Sequence, residues 1–243
     1  MPELTDTLIV LPAFNEEGSV GDVVREVLKT LPGVGCLVVD DGSHDDTFGR
    51  ATAAGAMVAQ LPFNLGVGAA MRLGFRYALE NGYSTVVQID ADGQHDPASV
   101  PEMLTHLNEV DIVIAARFAG VGAYHARGPR RWAMRILALT LSRVTGANLT
   151  DATSGFRASG PRAVAVFVDN YPAEYLGDTV ESLVIAARSK LSVRQVATAM
   201  RPRSAGVPSH NPLRSATYLA RAVIALVFAL MRPKSSYGLE ADQ

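Results

Sequence analysis

Apolar and polar positions along the first half of the chain switch repeatedly between a strand-like run and a helical period. Residues 7–12 form a short β-rich run ending at Pro12, followed by an Asn15-Glu16-Glu17-Gly18 turn. Val20, Val23, Val24, Val27, Leu28 and Leu31 then recur at helical spacing, which predicts a helix over 20–30 closed by Pro32-Gly33. Further strands are predicted over 36–39, 57–60, 85–89 and 111–115. Helices are predicted over 45–54, with Ser43 or Asp45 as N-cap, over 67–81 and over 97–107. Strand–helix alternation of this kind implies right-handed βαβ units, hence an α/β fold with a mainly parallel sheet flanked by helices.

In open sheets of that class, ligands bind beyond the carboxyl ends of the strands. Three predicted strand ends carry acidic or amide groups: Asn15-Glu16, Asp40-Asp41 and Asp90-Ala91-Asp92. Carboxylates gathered at one edge repel one another and call for a cation or hydrogen-bond donors. A hard divalent ion such as Mg²⁺ or Mn²⁺, bridging a nucleotide diphosphate, suits oxygen donors of this type. Strand alternation predicts that Asp90 and Asp92 point the same way, with Gln94 or His95 completing the site. An acidic turn capping the next helix is the bland alternative.

Composition narrows the class without choosing within it. The 243 residues are 48% hydrophobic and 19% charged, which excludes extensive disorder, and a net charge of −2 argues against general nucleic-acid binding. One cysteine, Cys36, excludes a disulfide framework and a cysteine zinc site, and it reads as a reduced, structural thiol. No signal-peptide pattern opens the sequence, so a cytoplasmic location is expected. There is no Gly-x-x-x-x-Gly-Lys loop, and Gly66-x-Gly68 lacks the third glycine of a dinucleotide fingerprint. The run Asn64-Leu65-Gly66-Val67-Gly68 reads instead as a tight turn that lets backbone approach a ligand.

Taken in order, Pro12-x-x-Asn15-Glu16, Asp40-Asp41-Gly42-Ser43-x-Asp45-x-Thr47, Asn64-x-Gly66-x-Gly68, Asp90-x-Asp92-Gly93-Gln94-His95-x-Pro97 and Asp151-x-x-Ser154-Gly155-Phe156-Arg157 resemble glycosyltransferase family 2. Within that family they are most similar to the dolichyl- and polyprenyl-phosphate sugar synthases. The resemblance implies a GT-A fold over residues 1–209 and metal-dependent, inverting transfer of a hexose from a GDP- or UDP-sugar to a polyprenyl phosphate. A soluble acceptor, or a silent nucleotide-sugar-binding subunit, is the alternative reading.

Residue by residue, the resemblance implies that Pro12, Ala13 and Glu16 hold base and ribose. Asp41 matches a nucleoside-contacting acid with Val39 beside it, and Gly68 and Ala91 match positions on the donor site. Asp90, Asp92 and Gln94 match the metal and diphosphate positions. Arg117 matches a phosphate-binding position after the fifth strand, although the small-Ser-Arg usual there is Ala115-Ala116-Arg117. Arg201 and Arg203 match a basic patch over the donor phosphates. Asp151 is the candidate base or acceptor-positioning acid, with Asp178 and Glu181 as alternatives.

Residues 112–150 contain no Asp or Glu but include Arg117, Arg127, Arg130, Arg131, Arg135 and Arg143, interleaved with Trp132, Ile136, Leu137, Leu139 and Leu141. This pattern is either an ordinary surface helix or a basic amphipathic one suited to an anionic membrane surface and a prenyl phosphate. Residues 210–232 are expected to form an apolar C-terminal helix, whose uncharged stretch 222–231 is too short to span a bilayer, and 233–243 a flexible tail. Peripheral membrane contact follows, with a membrane partner or self-association as further possibilities.

Overall fold

The computed structural model describes residues 3–116, 129–172 and 178–201. Seven strands are formed there: β1 (Thr7–Ala13), β2 (Gly35–Asp40), β3 (Met57–Gln60), β4 (Thr85–Gln88), β5 (Ile112–Ala116), β6 (Arg157–Ser159) and β7 (Val193–Ala197). They make one sheet in the order β3-β2-β1-β4-β6-β5-β7. All neighbours run parallel except β6, which is antiparallel to both β4 and β5. The helices are α1 (Val20–Thr30), α2 (Thr47–Ala53), α3 (Val67–Glu80), α4 (Val100–His106), α5 (Pro129–Thr145), α6 (Pro161–Asn170) and α7 (Asp178–Arg188).

Alternate side chains of the central strands feed two cores, one on each face. Leu8 and Val10 of β1 join Leu37 and Val39 of β2 in a layer closed by α3, α5, α6 and α7. Ile9, Leu11 and Ala13 point the other way, into a layer with Val38 and the Val20, Val23, Val24 and Val27 stripe of α1. That stripe explains why α1 forms: its apolar positions fall on one side of a helix and its polar residues on the other. Cys36 is buried in the second layer, and burial pushes its thiol pKa up to about 12.

The predicted strand 57–60 and helix 20–30 match β3 and α1, and most other predicted elements shift by one or two residues at their ends. One difference matters more. The fourth strand stops at Gln88, so Asp90 and Asp92 lie on the turn beyond it, and strand alternation does not orient them. Residues 97–107 divide into a short 3₁₀ turn, Pro97–Ser99, and α4. In α5, Leu137 and Leu141 belong to the core, whereas Ile136 and Leu139 face outward beside exposed Arg135. Part of the apolar set read from the sequence is therefore ordinary packing. Among the described residues, no helix is long and apolar enough to cross a membrane. Arg117, Arg127, Arg203, Arg131's side chain and residues 210–243 lie outside what is described.

Candidate active site

The carboxyl ends of β1, β2 and β4 deliver their loops to one edge of the sheet, and the antiparallel β6 adds a fourth. Because β6 runs backwards, its first residue, Arg157, pairs with Gln88 and Ile114 near the ends of β4 and β5. The segment 151–156 that leads into it therefore arrives beside Asp90. Gly155 is the contact point: a Cβ there would lie 3.1 Å from Asp90 Oδ1.

The first two loops are stitched to each other. Asn15 takes a left-handed backbone (φ 55°), donates its N–H to Ser43 Oγ at 2.9 Å, and accepts the His44 N–H on its own Oδ1 at 2.8 Å. The N–H groups of Glu16 and Glu17 donate to Thr47 Oγ1 at 2.9 Å and Asp45 Oδ2 at 3.1 Å. Thus much of the Asp-Gly-Ser-x-Asp-x-Thr signature is consumed in holding two loops together. Asp45 is the anchor: partial burial would raise its pKa, but hydrogen bonds from Thr47 and from backbone N–H groups outweigh this and hold it below the usual range.

Asp41 does the same for the third loop. Its two carboxylate oxygens accept the N–H groups of Leu65 and Gly66, each at 2.7 Å. Burial raises its pKa, those two bonds oppose the rise, and neighbouring Asp40 adds to it. Asp40 is itself occupied, accepting from Ser43 N–H at 2.9 Å and from the Gln60 amide at 3.0 Å. Asp41 therefore organises the Asn64–Gly68 turn, a task that explains the acid whether or not it also meets a nucleoside.

Asp90 and Asp92 have different surroundings. The Asp90 side chain is 41% exposed, with Gln88 Nε2 at 3.5 Å and His95 Nε2 at 3.6 Å. Asp92 is buried, and its Oδ1 accepts the N–H of Gln94 at 3.0 Å. Two hard oxygen donors on one turn fit a divalent cation. Among the described residues, no group of three or more His, Cys, Asp or Glu side chains is placed to hold a metal alone. A cation held there would need further oxygen ligands, of the kind a diphosphate or water supplies. His95 Nδ1 accepts the Asp90 N–H at 3.0 Å, which leaves the proton of the neutral ring on Nε2.

Several of the candidate residues have structural partners of their own. Val39 is fully buried in one core, and Ala13 and Ala91 are buried in the other, so packing accounts for their side chains. Gly68 is explained by packing, because a Cβ would fall 2.2 Å from the Pro172 carbonyl oxygen. Asp151 is buried, and its Oδ1 accepts both the N–H and the hydroxyl of Thr153, at 3.0 and 2.8 Å. That oxygen is committed to the residue's own turn. Arg201 pairs with Glu26 at 2.6 Å and Asp96 at 2.9 Å, so its charge is already matched. Its N–H donates to the Gln94 carbonyl, which straps the segment after β7 to the Asp92 turn. Pro12 and Glu16 remain half-buried at the edge, and Glu16 accepts from the Ser19 hydroxyl at 2.7 Å.

Three participants were given no role of their own from the sequence. Arg157 is buried and donates to the carbonyls of Ser154 and Ala152 and to Ser182 Oγ at 2.8–2.9 Å, fixing the 151–157 loop. Gln195 Oε1 accepts the N–H groups of Thr150 and Asp151, and nothing in its sequence context signals this. Gln88, at the end of β4, carried a signal in its position just before the acidic pair. Asp178 sits at the start of α7, and removal of its carboxyl from water raises its pKa. Nearby Arg157 opposes the rise and Asp90 reinforces it.

Comparison with known proteins bears on the family and the fold. Residues 8–167 match the Glycosyl transferase family 2 model. The chain is 34% identical over 160 residues to a polyprenol monophosphomannose synthase of Mycolicibacterium smegmatis, covering 63% of this chain and 60% of that protein. It is 33% identical over 160 residues to an undecaprenyl-phosphate mannosyltransferase of Micrococcus luteus, covering 62% and 65%. The chain thus spans 60% and 65% of the length of these two relatives. In three dimensions it resembles glucosyl-3-phosphoglycerate synthase of Mycobacterium tuberculosis, crystallised with Mn²⁺, UDP and glucosyl-3-phosphoglycerate. The TM-score is 0.71 at 24% identity, over 95% of this chain and 81% of the other, which establishes a shared fold.

Proposed function

The chain belongs to glycosyltransferase family 2 and has a GT-A fold, and on that premise we propose that it transfers a hexose from a nucleotide-diphosphate sugar to a polyprenyl phosphate with inversion. The observation that carries the reading is the Asp90–Asp92 turn at the carboxyl edge of the sheet, walled by Gly155 and strapped by Arg201. The named activities of the two mannosyltransferase relatives support the acceptor class.

Transfer breaks the bond from the anomeric carbon to the donor diphosphate and forms one to an acceptor phosphate oxygen. Negative charge develops on the leaving diphosphate. Asp90 and Asp92, with Gln94 beside them, would hold Mg²⁺ or Mn²⁺, which when bound supplies Lewis-acid stabilisation of that charge. Asp41 orders the Asn64–Gly68 turn beside the donor edge. Arg117 directly follows β5, and its charge would serve phosphate near the reacting centre. A polyprenyl phosphate is already anionic at neutral pH, so little base assistance is required and Asp151 is free to act as a structural residue.

The acceptor would be met at a membrane surface. Arg135, Ile136 and Leu139 on the outer side of α5 support peripheral contact at the cytoplasmic face. Incubating the protein with a panel of GDP- and UDP-sugars, Mg²⁺ or Mn²⁺, and a short polyprenyl phosphate tests the reading. Label entering the organic phase supports it. Label confined to the aqueous phase moves the acceptor to a soluble molecule. Flotation with anionic vesicles, weakened by salt, tests the membrane contact separately.

A further inference from the structure

His95 occupies a place in the acidic motif that suggests a metal ligand, but its imidazole has other neighbours. The residue is 3% exposed, and the ring stacks on Phe156 with centroids 4.8 Å apart and planes at 18°. Its Nδ1 accepts the backbone N–H of Asp90 at 3.0 Å. An accepting Nδ1 leaves the proton of the neutral ring on Nε2. That nitrogen stands 3.6 Å from Asp90 Oδ2, outside hydrogen-bond length yet within electrostatic reach. One ring thus meets the same residue at its peptide and at its carboxylate. The backbone around it is pinned as well, by the bridge to Met200 and by the Arg201 N–H on the Gln94 carbonyl.

The geometry points to His95 as a positioning residue: Nδ1 fixes the peptide of Asp90, the Nε2–H side attracts its carboxylate, and the acid is thereby preset for a divalent cation. The inference rests on the cation-binding reading of Asp90 proposed above. It assigns the two nitrogens unequal work. The Nδ1 contact is a formed hydrogen bond, and the Nε2 contact is only an electrostatic bias. An asparagine amide oxygen falls near the Nδ1 position and can replace the first contact. A glutamine amide reaches toward Nε2 and replaces only the second.

Mn²⁺ titration followed by electron paramagnetic resonance, with excess UDP and in parallel with excess GDP, tests this on wild type, His95→Phe, His95→Asn, His95→Gln and Asp92→Asn. His95→Phe keeps an aromatic ring against Phe156 and should weaken nucleotide-dependent Mn²⁺ binding about tenfold, the equivalent of one well-made hydrogen bond. His95→Asn should stay within about threefold of wild type, with His95→Gln weaker than Asn. In the metal-free wild type, long-range ¹H–¹⁵N correlation should report the Nε2–H tautomer. Wild-type affinity in a folded His95→Phe overturns the inference and leaves the cation reading intact. So does the Nδ1–H tautomer, or a Gln variant that binds as tightly as Asn or more tightly. If His95→Phe does not fold, the Asn and Gln comparison decides. Absence of nucleotide-dependent Mn²⁺ binding in wild type, unchanged in Asp92→Asn, overturns the cation reading and this inference with it.

Discussion

Gly155 lies against Asp90 so closely that a methyl group on its Cα would sit 3.1 Å from one carboxylate oxygen and 3.5 Å from the other. The same methyl would be 3.0 Å from the Gln88 amide nitrogen. The glycine of the Ser154-Gly155-Phe156-Arg157 motif is therefore a spatial partner of the acidic motif.

Replacing it should move the acid more than it harms the fold. Gly155→Ala requires the Asp90 carboxylate and the Gln88 amide to give by a few tenths of an ångström. Nucleotide-dependent Mn²⁺ affinity should fall about fivefold while the melting temperature drops by only a few degrees. Calorimetric titration alongside thermal unfolding checks both. Unchanged affinity with a large loss of stability would place Gly155 in packing alone.

Asp92→Asn should remain folded, since an amide oxygen can still accept the Gln94 N–H. It removes a charged oxygen from the cation position, and turnover should fall about 10²- to 10³-fold. Rates with Mg²⁺ and with Mn²⁺, compared with circular dichroism of the same sample, test this. Near-normal turnover would remove Asp92 from the site.

Gly68→Ala should fail for a different reason. Its new methyl would meet a backbone oxygen, Pro172 O, at 2.2 Å, and the nearest carbon of Asp178 at 3.3 Å. Backbone cannot swing aside as a side-chain tip can, so α3 must shift. Overpacking of this kind costs about 1–3 kcal/mol. Denaturant unfolding should show a lower midpoint with an unchanged slope, and stability equal to wild type would contradict the close contact.

Acid should act on the loops before it acts on the core. The folded-state pKa of Asp45 is held below its unfolded value of 3.8. Its contribution is fully present above that value and is lost as pH falls through the folded pKa. Asp41 has the opposite sign: its raised pKa means that the folded state takes up a proton more readily than the unfolded one, so acid does not penalise it. Asp45→Asn should therefore flatten the acid limb of stability below about pH 4, and Asp41→Asn should not. Chemical denaturation at stepped pH separates them, and a steeper limb in Asp45→Asn would reverse the assignment.

The sequence by itself settled the α/β class, the parallel strands β1–β5 and the edge to which Asn15, Asp40 and Asp90 are delivered, because those features are local. The Val20–Val27 stripe has the period of a helix, and the runs before Asn15, Asp40 and Asp90 have the length and bulk of strands. Tertiary structure decided what local pattern cannot encode. The strand β6 has three residues, too few to show a period, yet its reversed direction brings Gly155 to Asp90 and buries Arg157 beneath the loop. The unequal environments of Asp90 and Asp92 arise because β4 ends at Gln88 and a turn replaces the pleat. Partner choice was likewise beyond the sequence. Whether a motif carboxylate faces a ligand or a neighbouring N–H depends on which loop lies across from it. For Asp41 that loop is Leu65–Gly66, and for Asp151 it is the turn the residue makes itself. Spacing along the chain fixes which residues can share an edge, and long-range packing fixes what each of them touches.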